Sequence, residues 1–257
     1  MKNARIAILF IMSAFCSCQK VIKVNLNSAA PRYVVAGNVT DQPGPYTINI
    51  TKTIDFSQDN TFPGVSGATV FITDSNNNIT DTLTEGSAGN YLTHTLVGVP
   101  GHTYHLDIAV GGNIFVCSST MPQPVLLDSV RTQKSSFGKN IDVVPYYKDP
   151  VATGNNYHLT LKVKDSVSTE IYIHNDDLIN GNEVANTLFN NIDVKTGDSI
   201  TVELQCTDHK VNQYYDNLQQ TIQQNSATPA NPQSNITGGA LGYFSAHTVD
   251  RKTIVAQ

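Results

Sequence analysis

Apolar and polar residues alternate along most of the chain after residue 32. In residues 46–50 (YTINI), for example, Tyr and Ile occupy every second position and Thr or Asn the positions between them. This period of two is typical of antiparallel strands with one face in the core and one in solvent. A series of such short runs in residues 32–122, separated by Gly, Pro and Asn turns, predicts an N-terminal Ig-like β-sandwich.

Residues 126–257 keep the strand pattern but add one helix. Between about residues 208 and 224 the apolar spacing changes to three and four, which is typical of an amphipathic helix, with Asp208 well placed as its N-cap. The apolar stripe comprises Val211, Tyr214, Tyr215, Leu218 and Ile222. A last strand pair is expected at about Leu241–Val249 and Lys252–Val255. The predicted fold class is therefore mainly β, with two domains joined by a Pro-containing connector.

A polar loop follows the predicted helix at residues 225–237 and shows no apolar pattern. Loops of this length in compact domains are usually functional or without fixed structure. This loop offers amides and hydroxyls but no acid, base, thiol or imidazole, so it suits recognition better than catalysis. The candidate partner-binding residues are Ser226, Thr228, Asn231, Gln233 and Asn235.

The N-terminus carries a secretory signal. Lys2 and Arg5 precede a ten-residue apolar run, Ile6–Phe15, which is shorter than the roughly 20 residues of a transmembrane helix. We therefore predict a signal peptide over residues 1–17.

The end of the signal looks like a bacterial lipobox. Ser17 is small, so Cys18 is expected to become the lipidated N-terminus, while Cys16 follows the bulky Phe15 and leaves with the signal. Several acyl chains on one residue hold a protein stably on a membrane, because each buried methylene contributes about 0.8 kcal/mol. Cleavage without lipid is the alternative. Residues 18–31 then form a tether.

The composition of the chain argues against one class of partner. The formal net charge is −5, and it falls by two further units when the signal is removed, which argues against nucleic acid. Charged residues are few and Trp is absent, as expected for a β-rich protein outside the cytoplasm. Cys117 and Cys206 are expected to be buried thiols, with a disulfide as the alternative.

No catalytic or metal motif is evident, and no cofactor is expected. Gly64–Gly67 lacks the spacing of a nucleophile elbow, and His102 and His105 fall on opposite faces of a strand. Oxygen ligands cluster in residues 174–183, but they fail the EF-hand spacing, so a solvated turn is favoured over a calcium site.

Four Asp-Ser/Thr-aliphatic triplets look like the periplasmic O-glycosylation signal of Bacteroidota. Each also fits an ordinary turn that leads into a strand. The candidate modified residues are Thr82, Ser129, Ser166 and Ser199.

Nearly the whole mature chain resembles a lipoprotein family of Bacteroidota, domain of unknown function 4249. The resemblance is carried by PRYVVAGNVTDQPGPYTINITKT, VSGATVFITD, GNYL and GHTYHLDI in the first half, and by GDSITVELQCTDHKVNQYYDNLQQ and NPQSNITGGALGYFSAHTVDRKTIV in the second. It implies an outer-membrane lipoprotein, frequently encoded beside a TonB-dependent receptor, and brings no catalytic residues. The first half also resembles transthyretin-like sandwiches, which are accessory modules.

These observations together favour a non-enzymatic lipoprotein of the cell envelope. We expect a lipid-anchored protein of the outer membrane, with the cell surface slightly favoured over the periplasmic face. It would act as an accessory or binding subunit of a TonB-dependent transport system. The alternative is a module that binds a glycan or peptide by itself, on an aromatic platform drawn from Tyr146, Tyr147, Tyr214 or Tyr215. A hydrolase is the third possibility.

Overall fold

The computed structural model describes residues 30–55, 58–59, 61–135, 141–223 and 231–257. These residues are mainly β with a single helix, which confirms the prediction of a mainly β fold with one helix. The elements are β1 Tyr33–Thr40, β2 Thr47–Lys52, β3 Thr69–Asp74, β4 Ile79–Thr82, β5 Thr84–Glu85, β6 Asn90–Leu92, β7 Thr103–Val110, β8 Asn113–Thr120, β9 Leu127–Lys134, β10 Ile141–Lys148, β11 Asn156–Val163, β12 Ser166–Val167, β13 Tyr172–Asn175, β14 Glu183–Ala185, β15 Ser199–Cys206, α1 His209–Ile222 and β16 Leu241–Val255.

The strands form three sheets. The largest has the order β12-β11-β15-β16-β1-β2-β6-β5, with β13 also paired to β11. A four-stranded sheet has the order β4-β3-β7-β8, and a three-stranded sheet has the order β14-β10-β9. Neighbouring strands are antiparallel except β1 and β16, which are parallel.

Two hydrophobic cores lie between these sheets. In the first, Val35 and Ile48 of the large sheet share a cluster with Ile72 and Leu106 of the four-stranded sheet. In the second, side chains of β11 and β15 share a cluster with Val143 of the three-stranded sheet. Burial alternates along the strands, as the period of two predicts, because successive side chains point to opposite faces.

The last strand differs from the prediction of a strand pair. Residues Leu241–Val255 form one continuous strand, because β16 changes partner along its length rather than turning. Its first half pairs with β1 in parallel and its second half with β15 in antiparallel. Asp250, near the expected turn, instead accepts a hydrogen bond from the N–H of Leu127.

This shared strand bears on the division into domains at residues 32–122 and 126–257. The first core contains Phe244 and Ala246 from β16, in addition to residues of β1–β3 and β6–β8. Both predicted domains therefore use the same strand. The division itself stays a prediction.

Gly242 allows β1 and β16 to approach closely. It has a φ of +92°, and a Cβ at this position would lie 1.9 Å from the carbonyl oxygen of Val35, its partner in the register. Only glycine adopts this backbone without strain and leaves the space empty.

The signal peptide (1–17), the lipidation site Cys18 and most of the tether (18–31) lie outside the described residues. These assignments stay predictions. No helix in the described ranges is long and apolar enough to cross a membrane.

Candidate functional site

The helix begins and ends where the sequence predicts. The carboxylate of Asp208 accepts a hydrogen bond from the N–H of Val211 at 2.9 Å and so caps the first turn. The same carboxylate accepts a hydrogen bond from the hydroxyl of Ser119 on β8. The helix start is thereby fixed to a strand from the first half of the chain.

Tyrosine rings hold the helix on the large sheet. Tyr215 stacks on His158 of β11, with ring centroids 4.2 Å apart, and both Tyr214 and Tyr215 pack against Tyr243 of β16. The predicted apolar stripe is wrong at its end, because Ile222 is 61% exposed.

A polar stripe on α1 lines a groove that the sequence analysis missed. His209, Asn212, Asp216 and Gln219 recur at three- and four-residue steps, so they share one face of the helix. Together with β13 and the loop after it, they enclose about 600 Å³. We call this space the helix groove; its remaining lining residues are Asn156, Ile173, His174, Asn175, Leu178, Ile179, Asn186 and Gln213. The polar spacing was visible in the sequence, but its partner β13 was not.

Two amide side chains fix the helix to β13. Asn212 donates from Nδ2 to the carbonyl of His174 at 3.1 Å, and Gln219 donates from Nε2 to the carbonyl of Ile171 at 2.7 Å. Burial lowers the pKa of His174, so its imidazole is neutral at pH 7. The groove thus has walls of fixed geometry, with amide and imidazole groups as its polar lining.

A smaller groove lies on the other side of the helix. It has a volume of about 250 Å³ and is lined by Lys210, Gln213 and residues 233–237. Gln213 lines both grooves, so the two are adjacent across the exposed side of α1.

The structure describes only part of the predicted partner-binding loop. Gln233 and Asn235 line the smaller groove, and Asn231 is exposed. Asn235 also has a structural task, because its side-chain amide exchanges two hydrogen bonds with the main chain of Phe244, at 2.7 and 3.0 Å. Ser226 and Thr228 lie outside the described residues.

Tyr147 and Tyr215 are not available for the aromatic platform that would favour glycan binding. Tyr147 is only 1% exposed, and Tyr215 is covered by His158 and Tyr243. Tyr146 lies on β10 with the guanidinium of Arg131 over its ring, 4.7 Å from the centroid. Tyr214 packs against Tyr215 and Tyr243, so each of the four rings has a packing partner within the chain.

The four candidate glycosylation sites lie on strands. Thr82, Ser166 and Ser199 are exposed on β4, β12 and β15, whereas Ser129 on β9 is half-buried. Asp81, before Thr82, accepts hydrogen bonds from three successive main-chain N–H groups at residues 94–96. That aspartate holds a loop, and modification at the four sites stays a prediction.

The acidic turn at residues 174–183 is organised by hydrogen bonds. The buried carboxylate of Asp176 accepts from the N–H groups of Gly154 and Asn155, at 2.7 and 3.0 Å. In the part of the chain that the structure describes, no three His, Cys, Asp or Glu residues are placed to hold a metal ion.

One serine and one histidine approach each other in the large sheet, but they are buried. Ser245 Oγ lies 2.9 Å from Nδ1 of His247, and the two residues are 1% and 4% exposed. Burial lowers the pKa of His247 to about 4. A substrate cannot reach this hydroxyl without opening the sheet.

The two cysteines are free and buried, as expected. Burial raises the pKa of the Cys117 thiol to about 12 and also raises the pKa of Cys206. Both stay protonated at neutral pH and are poor nucleophiles.

The described residues form a mainly β fold with a single helix, and the polar face of that helix lines the helix groove. The chain belongs to the family described as domain of unknown function (DUF4249), whose sequence profile matches residues 19–253. No curated protein matches the chain significantly. Among solved structures, it is similar to a selenomethionine-substituted chicken interferon gamma receptor alpha chain, at 7% identity and a TM-score of 0.22, over 70% of this chain and 90% of that one. A likeness this weak carries no argument.

Proposed function

We propose that this protein is a non-enzymatic binding subunit of the cell envelope and that the helix groove is its partner-binding surface. A lipid on Cys18 would hold it on the outer membrane, and the tether would place the β domains beside their partner. The observation that carries the proposal is the groove of about 600 Å³ along the polar stripe of α1.

The chemistry of the groove suits binding. Its polar lining is dominated by Asn and Gln side chains, which both donate and accept hydrogen bonds. The side chains of Asn186 and Gln213 make no hydrogen bond to any described residue, so they are free to bind a partner. The helix that forms one wall is held by Asp208 and by three tyrosines, so little ordering cost accompanies binding.

The expected partner is a TonB-dependent outer-membrane receptor. This part of the proposal rests on the family resemblance, since members of the family are frequently encoded beside such receptors. The resemblance also slightly favours the cell surface over the periplasmic face. Protease treatment of intact cells distinguishes the two faces.

The second candidate function is capture of a glycan or peptide by the chain acting alone. The amide-rich groove favours it, but the described residues of the lining include no Tyr or Phe on which a sugar ring could stack. A hydrolase is disfavoured, because the hydroxyl of Ser245 and the thiol of Cys117 are buried.

Site-specific photocrosslinking tests the proposal. A benzoylphenylalanine at Gln213 should crosslink one envelope protein in intact cells of the source organism, and mass spectrometry identifies it. The matched control carries the same group at Asp165, an exposed position in the turn between β11 and β12. If both positions crosslink the same proteins, or if Gln213 crosslinks none, the helix groove is excluded as the partner surface.

A further inference from the structure

β13 ends its sheet beside the helix groove. It pairs with β11 through four residue pairs, from Asn156↔Asn175 to Leu159↔Tyr172, and with no other strand in the described ranges. Ile173, His174 and Asn175 line the groove. One edge of β13 is therefore paired, and the other faces the space next to α1.

The hydrogen-bond pattern identifies the main-chain groups on the free edge. The N–H of Asp176 donates to the carbonyl of Asn155, so this residue pair is a hydrogen-bonded pair of the β11–β13 ladder. Because hydrogen-bonded and non-hydrogen-bonded pairs alternate in an antiparallel ladder, His174 and Tyr172 also bond to β11. The N–H and carbonyl groups of Ile173 and Asn175 consequently point away from β11.

The helix already binds one main-chain group directly before β13. The carbonyl of Ile171, two residues before Ile173, accepts the side-chain amide of Gln219 at 2.7 Å. The outward groups of Ile173 and Asn175 have no hydrogen-bond partner among the residues that the structure describes. Unpaired main-chain groups at an edge are a template for another extended chain.

The sequence of β13 does not itself block pairing at this edge. Natural sheets block edges with Lys, Pro or a bulge, and the sequence of β13, Tyr-Ile-His-Asn, has none of these in its regular register with β11. The opposite wall of the groove carries Leu178, which is 94% exposed, and the half-buried Ile179. A chain added to the edge would thus meet amides of α1 on one side and aliphatic side chains on the other.

We propose that the free edge of β13 accepts an extended peptide segment of a partner protein as an added strand. The inference rests on the proposed function, since it names the chemistry of the partner at the helix groove. Main-chain groups of the peptide pair with Ile173 and Asn175, and alternate side chains contact Leu178 and the free amide of Gln213. The preferred segment has aliphatic residues at every second position and no proline at the paired positions.

Hydrogen exchange on the wild-type protein tests the pairing directly. The probe is a synthetic dodecamer selected from a displayed library of random linear peptides against residues 19–257. On adding it, the amide hydrogens of Ile173 and Asn175 should become at least tenfold slower to exchange by NMR. Those of Tyr172 and His174, already bonded to β11, should change little. Failure to select any peptide, or an unchanged exchange rate at Ile173 and Asn175, overturns the proposal.

Two substitutions at Ile173 distinguish peptide binding by its main chain from peptide binding by its side chain. Ile173→Pro removes the outward N–H and should weaken dodecamer binding at least tenfold, whereas Ile173→Ala keeps that N–H and should stay within threefold. Equal losses would mean that the side chain, not strand pairing, binds the peptide. If Ile173→Pro does not fold by circular dichroism, the exchange measurement decides. A specific crosslink at Gln213 without protection of Ile173 would overturn strand addition alone and leave the proposed function standing.

Discussion

Ser119 donates its hydroxyl hydrogen to the carboxylate of Asp208, the N-cap of α1, across 89 positions of sequence. The same Ser119 oxygen accepts the N–H of Ala246 on β16 at 2.8 Å. One buried hydroxyl thus joins β8, the helix start and the strand shared by both cores. The contact fixes the start of α1, whose polar face lines the helix groove.

Ser119→Ala should lower the free energy of unfolding by about 1–3 kcal/mol, because it leaves a buried N–H and a carboxylate oxygen without a partner. Ser118→Ala is the matched control, since Ser118 is half-buried on the other face of the same strand. Urea denaturation measures both. Equal effects of the two substitutions would show that the hydrogen bonds of Ser119 contribute nothing special.

Gly242→Ala should destabilise the protein by about 3 kcal/mol or more, from the left-handed backbone and a clash with the carbonyl of Val35. Gly239→Ala separates these causes, because Gly239 also has a positive φ, of +90°, but has no atom within 4 Å of the added carbon. It should cost only about 1–2 kcal/mol, the backbone part. Thermal unfolding of the two variants compares them, and similar melting temperatures would rule out the clash.

Acid should lower the free energy of unfolding, because His247 is protonated more readily in the unfolded chain. Its pKa is about 4 when folded, below the ordinary value of 6.5, so the unfolded chain binds the proton first as the pH falls. The stability linked to this group is complete above pH 6.5 and should fall by about 3 kcal/mol as the pH drops to 4. Glu203 and His158 are the titratable groups that interact with it.

Urea denaturation at pH 7 and pH 4.5 measures this dependence. His247→Gln should flatten it, because the amide has no proton to gain in this range. His105→Gln, at an exposed position on β7, should retain the wild-type slope. An unaltered slope in His247→Gln would assign the acid sensitivity to other groups.

If Cys18 is lipidated, its substitution should change the cell fraction in which the protein is found. Cys18→Ser should move the protein from the membrane to the soluble fraction, because the acyl chains provide the anchor. Cys16→Ser should leave it on the membrane, since that residue departs with the signal. Immunoblots after a carbonate wash report the distribution, and a Cys18→Ser protein that stays membrane-bound would contradict the anchor assignment.

A fragment of residues 30–124 should fail to fold alone, although it contains β1–β8. The first core needs Phe244 and Ala246, and β1 would lose its parallel partner. Circular dichroism tests this, with residues 19–257 as the control. A stable β-rich fragment would support the predicted division at residues 122–126 instead.

Local patterns in the sequence were sufficient to predict the individual strands and the helix. The period of two placed β1, β2 and β7, and the switch to steps of three and four placed α1 with its N-cap Asp208. These features depend on neighbouring residues, because pleat, helix period and capping act over a few positions. The family assignment rested on the same linear patterns.

The arrangement of these elements could be seen only in the folded chain. The exchange of partners along β16, the free edge of β13 and the position of Asn212 over His174 all depend on contacts between segments distant in sequence. The polar stripe on α1 was visible in the sequence, yet a polar stripe alone indicates only a solvated face. It became one wall of a groove because His158 and Tyr243 hold the opposite face of the helix on the sheet beside β13. Periodicity records which side of an element is buried, but not which distant strand lies against it.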